Sequence, residues 1–184
     1  MIKAAEYEKA CNKAIEMIRR VGIAVSENEL NNMDAADFGL NDLYAEGAQM
    51  LELFNTHRIS AKVIVLFAGQ TLPEHWHDKV GDDPGKEEII RAAYGKAYVY
   101  LPGSSVVIAS QIPKGKGKYY TSRKEFILTP GEQIVLSPGI KHWIQAGVEG
   151  AVLYSFSTCA RDELDKFSDP AVIRKTLIEW DACE

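Results

Sequence analysis

A mainly β fold, a barrel or sandwich of short strands with helices before and after it, is predicted by three features of the sequence. After Leu53, β-branched and aromatic runs are broken by Gly and Pro at strand-length intervals. Ahead of them, apolar residues from Tyr7 to Val21 recur at three- and four-residue spacing, the stripe of an amphipathic helix. Behind them, Asp169-Pro170 opens a segment with Ile173, Leu177 and Trp180 on one stripe, which reads as a C-terminal helix over 171–180. With 184 residues and no internal repeat, the chain is expected to be one domain. Its parts are a helical cover over 1–50, a barrel over 51–160 and a C-terminal helical segment over 161–184.

Each element has a local reason. The first helix should stop at Gly22. Ser26 with Glu29 has the form of a capping box, and a second helix is expected to run from there to about Asp37. Strands are expected at Ala61–Phe67, Thr71–His77, Glu88–Tyr94, Lys96–Leu101, Val106–Ile108, Glu125–Leu128, Gln133–Leu136, His142–Ala146 and Ala151–Ser157. Between them fall Ala68-Gly69, Asp82-Asp83-Pro84-Gly85, Pro102-Gly103, Thr129-Pro130-Gly131 and Ser137-Pro138-Gly139, which carry turn chemistry. The basic run Lys114–Lys118 reads as a solvated hairpin tip.

Composition excludes several functions. A net charge of -5 lacks the basic surface that a phosphate backbone requires, so neither nucleic acid nor an acidic membrane is an expected partner. Cys11, Cys159 and Cys183 are few and scattered, which fits a reducing compartment better than a disulfide framework. The N-terminus is charged and helical in pattern, and no apolar run approaches the roughly 18 residues of a membrane span. A cytoplasmic protein is expected. Edge strands and the first helix leave surfaces for a homodimer.

Only four histidines occur, and three are placed informatively. In a strand, period-two geometry sends His75 and His77 to one face, where two imidazoles can share an ion. After a polar loop, Glu87-Glu88 starts a strand that can return antiparallel beside the first and bring a carboxylate. His142 follows a Ser-Pro-Gly turn at a strand start, as a ligand from the opposite side would require. Three imidazoles and a carboxylate suit Mn²⁺, Fe²⁺, Co²⁺, Ni²⁺ or Zn²⁺ rather than Mg²⁺ or Ca²⁺. His57 has no neighbour in sequence of this kind and reads as a surface residue.

The spacing Gly69-x5-His75-x-His77-x10-Glu88-x6-Gly95 resembles the first motif of the cupins, with a longer loop than usual between the histidines and the glutamate. Gly131-x6-Pro138-Gly139-x2-His142 resembles the second. The resemblance implies a cupin jelly-roll β-barrel with the metal inside it, and it selects Glu88 over Glu87 as ligand. A closer likeness, from about Met33 to Asp169, is to the cytosolic D-lyxose isomerases. It is carried by Asp37-Phe-Gly-Leu, Val65-Leu-Phe-Ala-Gly-Gln-Thr-Leu-Pro-Glu-His-Trp-His77, Gly85-Lys-Glu-Glu88, Tyr94-Gly-Lys-Ala-Tyr-Val-Tyr-Leu101, Lys141-His-Trp-Ile-Gln-Ala-Gly147 and Phe167-Ser-Asp-Pro170. That family's usual Mn²⁺ preference is the cofactor expected here. Its reaction interconverts D-lyxose with D-xylulose and often D-mannose with D-fructose, so a monosaccharide is the expected partner. A cupin oxygenase and a non-catalytic sugar-binding cupin are the competing readings.

Moving a carbonyl between C1 and C2 of a sugar removes a proton beside it, passes through an enediol and develops charge on two oxygens, which a divalent ion can chelate. Lys86, two residues before Glu88, is the expected catalytic residue, contacting those oxygens or shuttling a proton, with its pKa lowered by the neighbouring cation. Lys62 is a second catalytic candidate, at the start of a strand. Glu74, Glu87, Arg91 and Asp165 are candidates for base or hydroxyl recognition, although alternation puts Glu74 opposite the histidine pair. Trp143 and Tyr94 read as core. A hydride shift stays open beside proton transfer.

Overall fold

The computed structural model describes residues 1–103 and 109–180. The strand expected at Val106–Ile108 and the residue Cys183 lie outside them. Among the described residues, helices α1 (Ala4–Val21) and α2 (Glu27–Leu30) accompany eleven strands: β1 (Ile2–Lys3), β2 (Asp34–Ala36), β3 (Ala48–Asn55), β4 (Ile59–Leu66), β5 (Thr71–Trp76), β6 (Glu88–Leu101), β7 (Lys124–Leu128), β8 (Gln133–Leu136), β9 (His142–Thr158), β10 (Lys166–Phe167) and β11 (Ile178–Glu179).

Helix α1 ends where glycine allows it to: Gly22 adopts φ 78°, and its N–H returns to Arg19 and Ile18 carbonyls. The capping box forms, Glu29 N–H donating to Ser26 Oγ and Ser26 N–H to Glu29 Oε2. Helix α2 is nevertheless only four residues long. The residues expected to continue it, Asp34–Ala36, instead join the sheet edge in register with Met50, Gln49 and Ala48, and Ala35 and Ala36 are fully buried there. Strand pairing took these backbone groups from the helix.

Strand β9 organises the barrel. Along one edge, β5 pairs with its first part (Thr71 with Gln145, His75 with His142) and β4 with its second (Leu66 with Ala151 through Ile59 with Thr158). Along the other edge, β6 runs antiparallel from Glu88 opposite Ser157 to Tyr100 opposite Trp143. Two pairs of strands expected to be separate are thus continuous, 88–101 and 142–158. A straight ladder of this length would extend roughly 45 Å at 3.3 Å per residue. Glu88 and His142, at its opposite ends, nonetheless bring Oε2 and Nε2 to 3.8 Å. The ladder folds over on itself. Its corner lies where the register shifts between Ala92 and Tyr94 and again between Gly95 and Ala97. Gly95 (φ 68°) is required at this corner, because a Cβ there would lie 2.0 Å from the Gly150 carbonyl oxygen.

Alternation then makes two cores. Ile64, Leu66, Ile90, Ala92, Val99, Ile144 and Leu153 fill the barrel, while Leu51, Val63, Val65 and Val152 point outward under Ala10, Cys11, Ala14 and Ile18 of α1. The second half of β4 faces both cores, so Val63–Leu66 is an unbroken apolar run.

The expected C-terminal helix does not form over 171–180. Asp169 closes one turn, accepting from Ala171 N–H through its side chain and Val172 N–H through its carbonyl. The chain then extends: Ile173 N–H donates to the Phe38 carbonyl, and β11 pairs in parallel with β1. Ile173, Leu177 and Trp180, the expected stripe, stay substantially exposed. A ten-residue helix without a buried face is marginal, and these strand contacts outcompete it.

Candidate metal centre and active site

His75 and His142 are directly opposite each other in the β5–β9 ladder. This is a closer relation than expected, since His142 arrives from the adjacent strand rather than across the barrel. His77 follows the end of β5. Glu88 does not return beside β5; it comes through β6, which the folded ladder carries over the histidines.

The ring hydrogen bonds fix how the histidines present themselves. His75 Nδ1 is 2.8 Å from the Pro73 carbonyl, His142 Nδ1 3.0 Å from the Ile140 carbonyl and His77 Nδ1 2.5 Å from Asp165 Oδ1. Carbonyl and carboxylate oxygens accept, so Nδ1–H donates in each ring and Nε2 is the second ligand atom, which in His77 meets Glu88 Oε2. One ligand atom from each of the three lies within 4.8 Å of the other two, and all three residues are buried. Glu88 Oε2 is 3.2 Å from His77 Nε2 and 3.8 Å from His142 Nε2. Its other oxygen accepts from Ser155 Oγ and lies 3.5 Å from Lys86 Nζ. Three imidazoles and one carboxylate in a buried cluster fit a divalent transition metal.

The electrostatics prepare that set. Burial, reinforced by the neighbouring imidazoles, pushes His75 well below the ordinary histidine range, and burial takes His142 down to about 4. Both rings are neutral at pH 7. For His77 burial acts in the same direction, but the bonds to Asp165 and Glu88 outweigh it and raise the pKa. Burial opposes ionisation of Glu88, yet Lys86 and His77 hold its carboxyl well below the usual range.

A narrow cavity, partly open to solvent, begins at this cluster. Ile64, Leu72, Ile90 and Ile144 give it apolar walls; Lys62, Lys86, Asp162 and Arg174 give it charged ones. Asp162 was not among the residues expected. Its Oδ2 receives Lys62 and an Arg174 bond of 2.8 Å, while Oδ1 lies 3.9 Å from Lys86 Nζ. These cations keep Asp162 ionised against burial. In the metal-free chain Glu88, Asp162 and Asp165 outweigh the burial of Lys86 and raise its pKa.

Of the remaining expected residues, Asp165 borders the same cavity and the others stand elsewhere. Asp165 is committed to His77. Glu74, only 1% exposed, faces away from the histidines and accepts from Thr121 N–H and Oγ1, Ser122 N–H and Ser168 Oγ. It anchors two loops, as alternation along β5 dictates. Glu87 is exposed, its backbone bonded to Thr158, and Arg91 is exposed and donates to Gln133. His57 is exposed at the β3–β4 turn. Trp143 is core, stacked on Tyr100 at 3.9 Å, and Tyr94 packs against the α1 core. The run at 114–118 is not simply solvated: Lys116 reaches buried Asp169 at 2.5 Å and buried Glu46 at 3.6 Å.

No family model matches the chain. It is 44% identical over 181 residues to a D-lyxose ketol-isomerase of Cohnella laeviribosi, an alignment covering 98% of this chain and 100% of that protein. It is 43% identical to a D-lyxose/D-mannose isomerase of Thermosediminibacter oceani, covering 97% and 99%. Among solved structures, the L-ribose isomerase of Cellulomonas parahominis with L-ribose superposes with a TM-score of 0.80 at 16% identity, covering 97% of this chain and 98% of that one. The L-ribose isomerase of Acinetobacter sp. DL28 with L-ribose gives 0.78 at 16% identity over the same shares. At that identity the likeness is one of fold.

Proposed function

Since the chain belongs to the D-lyxose ketol-isomerase family, we propose that it interconverts D-lyxose with D-xylulose, and D-mannose with D-fructose, at a divalent ion held by His75, His77, Glu88 and His142. The observation that carries the reading is the convergence of three buried imidazoles and the Glu88 carboxylate at the head of one cavity. Mn²⁺ is the ion proposed, with Fe²⁺, Co²⁺, Ni²⁺ and Zn²⁺ compatible with the same donors. When bound, the ion supplies Lewis acidity to the oxygens on C1 and C2.

The chain's own residues supply the rest. Lys86, protonated and only 10% exposed, donates to the substrate oxygen on which charge develops. Asp162 stays ionised and accepts the migrating proton, its less engaged Oδ1 lying beside Lys86. Lys62 and Arg174 orient that carboxylate through Oδ2. Apolar walls exclude water from the enediol. The deciding experiment incubates purified, Mn²⁺-reconstituted protein anaerobically with D-lyxose and with D-mannose. Ketose is expected from both, and none from either would overturn the reading.

The proposal extends to a cytoplasmic homodimer. Among the described residues both cysteines, Cys11 and Cys159, are free, and no helix is long and apolar enough to cross a membrane. The strand register places Phe54, Ala61, Phe156, Ile89 and Val135 in one row across β3, β4, β9, β6 and β8. Phe54, Phe156 and Val135 are 40–53% exposed there, an apolar band that a second copy would cover. Light scattering should give twice the chain mass, and Phe156→Lys should give the monomer.

A further inference from the structure

Phe38 is held in a conformation that phenylalanine rarely adopts. Its φ is 52°. The Asp37 carboxylate accepts from Gly39 N–H at 2.9 Å and Asn41 N–H at 3.2 Å, and the Phe38 carbonyl accepts from Ile173 N–H at 2.8 Å. Backbone on both sides is thereby fixed, and the side chain, 1% exposed, borders the cavity.

Neighbours of the cavity form a closed circuit that starts and ends at the ligand cluster. On one side the Phe167 ring stacks on His75 at 5.6 Å, and Phe38 lies 5.7 Å from Phe167. On the other, Glu88 leads to Lys86, Lys86 to Asp162, and Asp162 to Arg174. The Arg174 guanidinium lies 5.9 Å from the Phe38 ring, so the aromatic and charged walls meet there.

Resting on the isomerase reading above, we infer that Phe38 sets the length of sugar the cavity accepts. A sugar whose C1 and C2 oxygens lie at the ligand cluster runs its chain between the two walls toward the meeting point of Phe38 and Arg174. The carbon that distinguishes a hexose from a pentose is the one nearest that closure. An apolar wall discriminates by bulk alone, and a wall whose backbone is pinned on both sides yields little.

Phe38→Leu and Phe38→Tyr test this with opposite signs. For each variant and the wild type, kcat/KM is measured for D-mannose and D-lyxose. Affinity is measured by calorimetry for D-mannitol and D-arabinitol, six- and five-carbon polyols that cannot isomerise. Leucine opens the far end and should raise both six-to-five-carbon ratios, the kinetic one about tenfold; tyrosine should lower both. Ratios that stay within about twofold of wild type, or that move the same way in both variants, as a packing defect would move them, overturn the inference. A wild type that forms no ketose from either sugar overturns the isomerase reading and this inference with it. A wild type that forms ketose while the ratios stand still overturns the inference alone.

Discussion

Asp165 acts through His77, at 2.5 Å from its Nδ1, and so decides which nitrogen of that ring is offered at the ligand cluster. Outer partners of this kind are commonly worth tenfold to a hundredfold in metal affinity. Asp165→Ala should therefore weaken Mn²⁺ binding by about 10–100-fold in a calorimetric titration while leaving the circular dichroism spectrum unchanged. The imidazoles also set a pH dependence. His75 and His142 are depressed by burial, His142 to about 4, so below the ordinary value of 6.5 the unfolded chain binds protons that the folded one refuses. Glu88, also depressed, adds stability that is lost as pH falls through its folded pKa. His77 has the opposite sign: its raised pKa contributes below 6.5 and fades as pH climbs through the folded value. Below 6.5 His77 is protonated in both states and adds no slope, so the two depressed imidazoles predict that the metal-free protein loses thermal stability from pH 6.5 down to about 4. His142→Gln should flatten that slope, and an equal slope in the variant would refute the assignment.

Elements rather than single side chains bring the proposed ligands together, and the corner in the β6–β9 ladder is where this is most exposed to test. Gly95→Ala places a Cβ 2.0 Å from the Gly150 carbonyl in a left-handed backbone. It should cost about 1–3 kcal/mol in urea denaturation and reduce Mn²⁺ affinity, although no ligand is altered. Wild-type affinity in a folded variant would show that the corner does not position the ligands. Much of this level was legible in the sequence. His75 and His77 could be paired because strand period is local, and α1 because its stripe and Gly22 are local. What was not legible depended on partners far along the chain. Asp162 and Arg174 come from the segment after β9, whose route is set by Phe38 and β1. The same long-range bonds convert the helical spacing of 171–180 into extended chain. Lys116 looked solvated because nothing near it in sequence announces Glu46 or Asp169, the two buried carboxylates it meets.

At the scale of the whole molecule, the four proposed ligands come from separate places: His75 on β5, His77 beyond its end, Glu88 at the start of β6 and His142 at the start of β9. An ion bound there is bound by the folded state. Chelation should then lower the thermal midpoint, with free metal at a hundredfold excess over Kd contributing about 2.7 kcal/mol. An unchanged midpoint after removal of bound metal would count against the site. The folded-over ladder carries a kinetic consequence as well. Glu88 and His142 become neighbours only when the most distant rungs of the longest strand pair have closed on each other, a late and highly non-local event. A ligand set that assembles only after the transition state would not hasten its formation. In stopped-flow experiments Mn²⁺ should leave the refolding rate of the chain nearly unchanged and slow its unfolding, so that the metal protects the enzyme by delaying its loss rather than by helping it to form.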